Sequence, residues 1–433
     1  MRSRVQAWIE SMGDQFWLRP GLIVLLCLGL GQTAVWLETA RIAGYDASSP
    51  NANWGYSGGA EGARALLGAV ASSTIGVAGT TFSITIAALA LAAGQMGPRL
   101  LRNFTRDARN QIVLGIFLGT FAYALIVLRT VRTVEESTFV PHLAVSGAIV
   151  LAMLSIGTLV WFIHHIATSI NVETVIESVH SDLCEAVRTR ALDAADITRP
   201  SHIPDGAGIA VAESGYLQAL DVDGLANWAH EQGVVVALRV RPGDYVPSGF
   251  PIACLSAGVD DAAGALGAAM TFGRRPAAMQ DLEYTVRQLS EIAVRALSPG
   301  INDPFTAGSV VDHFGDVLCR IAPRYLPTGA IERDGRIVLV HPVTDYAGLC
   351  DCMLHMIRQN AAGSVHVLVR MLDVLTRVAE VERFKNRQKD LRRHADLVIA
   401  AARRDVADPS DLANLEERYR RFELVVQPGE RFA

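Results

Sequence analysis

The chain has 433 residues, a formal net charge of −5 and a mean hydropathy of +0.26, which is high for a soluble protein. Nearly all its long apolar runs lie before about residue 170, so a membrane domain followed by a soluble domain is indicated. A negative charge without a basic stripe argues against nucleic acid as a partner, and none is expected.

Four apolar segments are long enough to cross a bilayer, which takes about 20 helical residues. They are about 20–37, a segment within 65–97, 112–128 and about 143–166. The first span is preferred to a cleaved signal peptide because no small-x-small cleavage site follows it before Glu38. We therefore predict a membrane α-helical domain of four transmembrane helices over residues 1–170.

The second span carries the most informative pattern in the chain. Residues 65–98 include no charged side chain, and Gly, Ala, Ser and Thr fill much of the run. Steps of three and four place small residues along one helix face. The resulting candidates for pore lining or helix packing are Ser72, Gly76, Gly79, Thr80, Ser83, Ala87 and Ala90.

Two interpretations of this stripe stay open. Small residues let helix backbones approach closely, with the hydroxyls bonded to carbonyls of their own helix, and Gly115-xxx-Gly119 in the third span is a second such pattern. Alternatively, the second spans of a homo-oligomer line a pore, in which hydroxyls suit water and small ions. Apolar side chains such as Ile84, Ile86 or Leu89 would then gate it by dewetting.

The loop after the second span carries a basic set, Arg99, Arg102, Arg106 and Arg109. The positive-inside rule places this loop, both termini and everything after residue 167 in the cytoplasm, so a multi-pass inner-membrane protein is expected. The spacing of three, four and three puts the basic set on one helix face, and rings of it in an oligomer would concentrate anions at the inner mouth. Contact with anionic membrane lipids is the alternative.

The soluble part is predicted to be a cytoplasmic α+β domain. A connecting helix and linker occupy 171–203, a small β-barrel-like module 204–270, and an α-rich domain 271–433. Within the last, 281–298 reads as an amphipathic helix, and Asp303 and Pro304 read as the N-cap and first residue of the next. Capping is preferred there to anion binding at the helix N-terminus.

Catalytic and metal-binding patterns are absent from the sequence. It contains no P-loop, no dinucleotide-binding glycine fingerprint, no HExxH and no nucleophile elbow, so we expect neither an enzyme nor a cofactor. Cys350 and Cys352 lack a second pair of ligands, so reduced thiols are expected rather than a metal site. The adjacent His164 and His165 point to different faces, which favours an interfacial role over ligation.

Four long stretches, 58–107, 114–132, 162–176 and 281–307, together resemble a bacterial family of predicted membrane proteins, the domain of unknown function number twenty-two fifty-four. The resemblance spans nearly the whole chain and implies architecture more than activity. The resulting hypothesis is a homo-oligomeric inner-membrane channel, with anions as candidate permeant ions, the second helix lining the pore and a cytoplasmic regulatory domain. A non-conducting membrane scaffold or sensor is the alternative.

Overall fold

The computed structural model describes residues 17–42, 56–96, 107–134, 137–169, 171–193, 208–210, 214–274 and 282–427. The chain divides into two compact units, Met1–Thr174 and Val175–Ala433. The first unit contains the apolar helices, and the second contains the small sheets and the amphipathic helices.

The first unit is built from four long helices. They are α1 (Leu18–Ile42), α2 (Ala60–Met96), α3 (Ala108–Thr130) and α4 (His142–Ser169), with a short hairpin of β1 (Arg132–Val134) and β2 (Ser137–Phe139) between the last two. All four helices are long and apolar enough to cross a membrane, which confirms the four predicted candidate spans. Helix α2 has 37 residues, so it extends about 55 Å and exceeds a bilayer core of about 30 Å.

Helix α3 is the centre of this unit. Half of its most apolar segment is buried, against 17% for α2, and it packs against all three other helices. A Cβ at Gly115 would lie 2.6 Å from Ile23 Cδ1 and 3.2 Å from Pro20 Cα, and one at Gly119 would lie 2.7 Å from Cys27 Sγ. The predicted small-xxx-small pattern of the third span is therefore a contact between α3 and α1 of the same chain.

Polar contacts join the helices of this unit. The Tyr123 hydroxyl donates to the Ala144 carbonyl at 3.0 Å, and a Cβ at Gly147 would lie within contact of that same hydroxyl. The Glu38 carboxylate at the end of α1 accepts from the Leu143 N–H in the first turn of α4 at 2.9 Å. A carboxylate suits this place because the first N–H groups of a helix have no partner inside it.

The second unit begins within a helix and alternates short strands with helices. Its helices are α5 (Val172–Arg190, which starts just before the unit boundary), α6 (Val222–Glu231), α7 (Ala262–Ala269), α8 (Leu282–Ala296), α9 (Pro304–Ile321), α10 (Tyr346–Asn360), α11 (Val365–Val381), α12 (Lys385–Asp405) and α13 (Pro409–Val426). Its strands are β3 (Gly208–Ala210), β4 (Gly215–Leu220), β5 (Val236–Leu238), β6 (Tyr245–Val246), β7 (Pro251–Leu255), β8 (Met270–Gly273), β9 (Ala330–Arg333) and β10 (Arg336–Val340).

The strands form two open sheets. One has the order β3-β7-β5-β10-β9 and the other β6-β4-β8, and β5 with β10 is the parallel pair. No closed barrel exists among the described residues, so the predicted barrel-like module is not confirmed. The physical reason is that β9 and β10, far along the chain, extend the first sheet sideways instead of closing it.

In the α-rich part, the structure contains the helix and the helix cap that the sequence predicts. The amphipathic helix predicted over 281–298 is α8, and the Asp303 carboxylate caps α9 by accepting from Phe305 N and Thr306 N, both at 3.1 Å. Hydrogen bonds lower the pKa of Asp303. The bond from the Thr306 side chain contributes most, and the two backbone bonds add to it. The predicted capping role is confirmed.

We expect Gly115→Val to destabilise the protein by about 1–3 kcal/mol, because the valine side chain would clash with Ile23 and the Pro20 backbone. Gly157→Val is the matched control, since nothing lies within 4 Å of a Cβ at that position of α4. Thermal unfolding of the two variants in detergent provides the comparison. Equal unfolding temperatures would contradict the packing of α3 on α1.

The stability of the second unit should fall between pH 7 and pH 5. Burial, with a smaller contribution from the Arg393 charge, lowers the pKa of His394 from 6.5 to about 4. In this window the unfolded chain takes up a proton that the folded His394 does not bind, so the folded state loses stability as the pH falls. The expected loss is about 2 kcal/mol, measured by urea unfolding of the full chain.

The pH effect is assigned to one ring by two variants. His394 lies beside Asp351, whose carboxylate is 3.0 Å from its Nε2 and equally close to Nε2 of His355. His394→Gln should reduce the pH dependence, because it removes one titrating group. His341, whose pKa is also lowered by burial, should retain part of it. His230→Gln, which changes a half-exposed histidine, should keep the wild-type slope. A wild-type slope in His394→Gln would assign the effect to another group.

Candidate functional site on the second span

Helix α2 has a packed face and an outward face. Its packed face is formed by the buried residues Ala63, Leu67, Ala71, Thr74, Ala78 and Thr85. Every predicted candidate is exposed, namely Ser72, Gly76, Gly79, Thr80, Ser83, Ala87 and Ala90. At 3.6 residues per turn, this set lies on the side of the helix opposite the packed face. We call it the small-residue face.

The glycines of the small-residue face are open on their Cβ side in the described part of the chain. A Cβ built at Gly76 or Gly79 would meet no atom within 4 Å. Gly115 and Gly119 of α3 differ in this respect, because α1 closes over them. Packing against the described residues of the same chain therefore does not explain the stripe in the second span.

Two hydroxyl groups of this face, those of Ser72 and Thr80, bond to their own helix. Thr80 Oγ1 donates to the Gly76 carbonyl at 3.0 Å, and Ser72 Oγ donates to the Ala69 carbonyl at 3.2 Å. The buried Thr85 on the packed face does the same to Thr81 at 2.7 Å. This agrees with the hydrogen bonding expected in the packing interpretation. Each hydroxyl oxygen still presents lone pairs as an acceptor.

The packed face leaves only a small space beneath α2. A cavity of about 20 Å³ is lined by Ala78, Thr85, Val113, Phe117 and Phe162, among others. That volume is close to the room that one water molecule needs, and the lining is largely apolar. This cavity is too small to serve as a conduction path.

The structure describes one of the four arginines of the predicted basic set. Arg99, Arg102 and Arg106 lie outside the described residues, and Arg109 is an exposed residue in the first turn of α3. The Arg109 N–H donates to the carboxylate of Asp107 at 2.9 Å, so Asp107 is the N-cap of that helix. The proposed ring of four arginines stays a prediction.

A contact between Asp107 and His165 joins the start of α3 to the end of α4. Asp107 Oδ2 lies 2.9 Å from His165 Nε2, and the Trp161 ring stacks on the imidazole with centroids 5.4 Å apart. His165 is buried and His164 is exposed, which confirms that the two point to different faces. The pairing itself was missed, because the partners are 58 residues apart and carry no shared motif.

Comparison with known proteins identifies relatives over nearly the whole chain. The family described as Predicted membrane protein (DUF2254) matches residues 13–377. An uncharacterised protein of Mycobacterium tuberculosis and one of Mycobacterium bovis are each 33% identical over 452 aligned positions, which cover 99% of this chain and 84% of theirs. No solved structure matches.

The family match, the extent of the two mycobacterial relatives and the four apolar helices agree with one another. The chain belongs to the DUF2254 family of predicted membrane proteins.

Proposed function

We propose that this protein is a homo-oligomeric channel of the inner membrane, in which the second spans of several copies face one another. The observation that carries the proposal is the outward position of the small-residue face. Lipid-facing helix surfaces gain nothing from glycine and serine, whereas small residues allow the backbones of neighbouring helices to approach closely. Copies of the same chain are the simplest partner, because each one brings the same face.

The polar character of the same face favours a channel over a scaffold. Ser72, Thr80 and Ser83 place three hydroxyl groups among the glycines and alanines, and a purely packed seam has no need of them. Exposed Ile84 and Ile86 stand further along the helix, at 69% and 50% exposure. They are suited to close a narrow aqueous path by dewetting. A scaffold or sensor without conduction is the second candidate, supported by the hydroxyl bonds to the helix backbone.

The orientation and ion preference of the channel follow from the arginines. The positive-inside rule assigns the 98–111 loop, both termini and the second unit to the cytoplasm. Arg99, Arg102, Arg106 and Arg109 of each subunit would then stand at the inner mouth and attract anions. The second unit has a regulatory role in this proposal and not a catalytic one.

Oxidative cross-linking tests the assembly. Ser83→Cys should form disulfide-linked dimers in native membranes, because the small-residue faces of neighbouring copies approach closely. Thr85→Cys is the matched control two residues away, since that position is buried on the packed face at 4% exposure. Non-reducing electrophoresis against the wild type provides the readout. Similar yields from both variants would contradict an interface on the small-residue face.

Planar-bilayer recording tests conduction. The purified oligomer should pass ions, and Gly79→Leu should lower the single-channel conductance without loss of assembly, because the new side chain narrows the path. Val150→Leu, a lipid-exposed position of α4, serves as the control and should conduct as the wild type does. A well-folded oligomer that stays silent under voltage, tension and varied ions would instead support the scaffold.

The same recordings address the ion preference. The double variant Arg102→Glu and Arg106→Glu should shift the reversal potential in a salt gradient toward that of cations. An unchanged reversal potential would assign these arginines to contact with lipid headgroups.

A further inference from the structure

A cluster of side chains with metal-binding chemistry lies between α5 and α9 of the second unit. Glu177, His180 and Cys184 follow one another at steps of three and four, so they share one face of α5. His313 and Asp316 are three residues apart on α9 and share a face in the same way. Each helix therefore presents more than one donor toward the other.

The donor atoms converge closely. His180 Nε2 lies 2.9 Å from Asp316 Oδ2 and 3.2 Å from Cys184 Sγ, and the sulfur lies 3.8 Å from that same oxygen. Ligand atoms about 2.1 Å from a tetrahedral Zn²⁺ are about 3.4 Å from one another. The observed separations bracket this value, so an ion would need only small movements of the three side chains.

A second histidine stands beside this triad. The His313 ring packs edge-on against that of His180, with centroids 4.5 Å apart. Its Nε2 is 3.3 Å from the Glu177 carboxylate, and its Nδ1 is 2.7 Å from the Ser309 carbonyl. Both ring nitrogens of His313 thus lie next to protein acceptors, so His313 borders the triad and is not counted among its ligands.

The charges at the cluster permit a cation to enter. Arg320 Nε holds Asp316 Oδ2 at 2.7 Å, and its side chain is 56% exposed. The guanidinium can therefore swing into solvent when a metal ion takes its place.

We infer that His180, Cys184 and Asp316 bind one Zn²⁺ ion, with a water molecule at the fourth position. The donor set of nitrogen, sulfur and oxygen suits this metal. Binding converts the Cys184 thiol to a zinc thiolate and releases its proton to solvent, while Arg320 leaves Asp316. The ion would clamp α5 to α9. No metal was expected from the sequence, and this role lies outside the proposed conduction.

Another cluster in the described part of the chain is a weaker candidate. Asp351, His355 and His394 also bring donor atoms together. However, the Arg393 guanidinium bonds the same Asp351 oxygen that both histidines approach, and this cluster contains no thiol. It therefore serves as the internal control.

Cobalt titration tests the site on the full chain, purified in detergent with a tag that contains no histidine and then stripped with a chelator. We expect one Co²⁺ per chain by elemental mass spectrometry, with a thiolate-to-cobalt charge-transfer band that Zn²⁺ removes. His180→Ala should abolish stoichiometric binding. Cys184→Ser, which preserves the size of the side chain, should lose the band and weaken binding at least tenfold. His355→Ala should bind as the wild type does.

Several results would overturn the inference. These are the absence of stoichiometric metal, a cobalt complex without the thiolate band, or loss of binding in His355→Ala with retention in His180→Ala. Thermal unfolding in the presence of chelator identifies a variant that fails to fold. If His180→Ala fails in this way, Cys184→Ser decides the question, and binding by that variant with wild-type affinity rejects the site.

Discussion

The packing of α3 against its neighbours is the constraint on which the membrane unit depends. Lipid is as apolar as leucine, so helices in a bilayer associate through close contact and not through expulsion of water. Gly115 and Gly119 provide that contact by letting Ile23 and Cys27 of α1 reach the α3 backbone. Once α3 is central, α2 has one face to bury and one face left over.

The exposed face is the small-residue face, on which the proposed function rests. Ala71 and Ala78 are buried on the packed side, so small residues serve both sides of α2. Among the described residues, no atom lies within 4 Å of a Cβ built at Gly76 or Gly79. Open glycines on a transmembrane helix are unfavourable against lipid because they forgo side-chain contacts that leucine would make. In the proposed oligomer these glycines face other copies instead of lipid, and the removal of this cost is the energetic basis of the assembly.

The sequence predicts the features of this protein that depend on neighbouring residues. The four apolar helices and the Asp303 cap follow from local composition and capping chemistry. The open sheets were not predicted, because the pairing of β10 with β5 joins segments about a hundred residues apart. Nor does a small-residue pattern reveal its partner, since Gly115 packs inside the chain while Gly79 does not.

The same limit applies to the clusters of polar side chains. His180 and Cys184 at one helical turn, and His313 and Asp316 at nearly one turn, are each an ordinary pair on an amphipathic helix. Only the tertiary contact between helices 136 residues apart makes them a set of donors. The sequence signal for this cluster is the helical spacing of His180 with Cys184 and of His313 with Asp316.

The hydroxyl geometry of α2 restricts how a pore there would select ions. Ser72 and Thr80 donate their protons to carbonyls of their own helix, so the oxygen lone pairs are what each hydroxyl offers outward. Lone pairs attract cations and do not stabilise anions. A lining of this kind gives no preference for anions by itself. In the proposed channel, a preference for anions would have to arise at the basic set in the loop after α2, and not at the small-residue face.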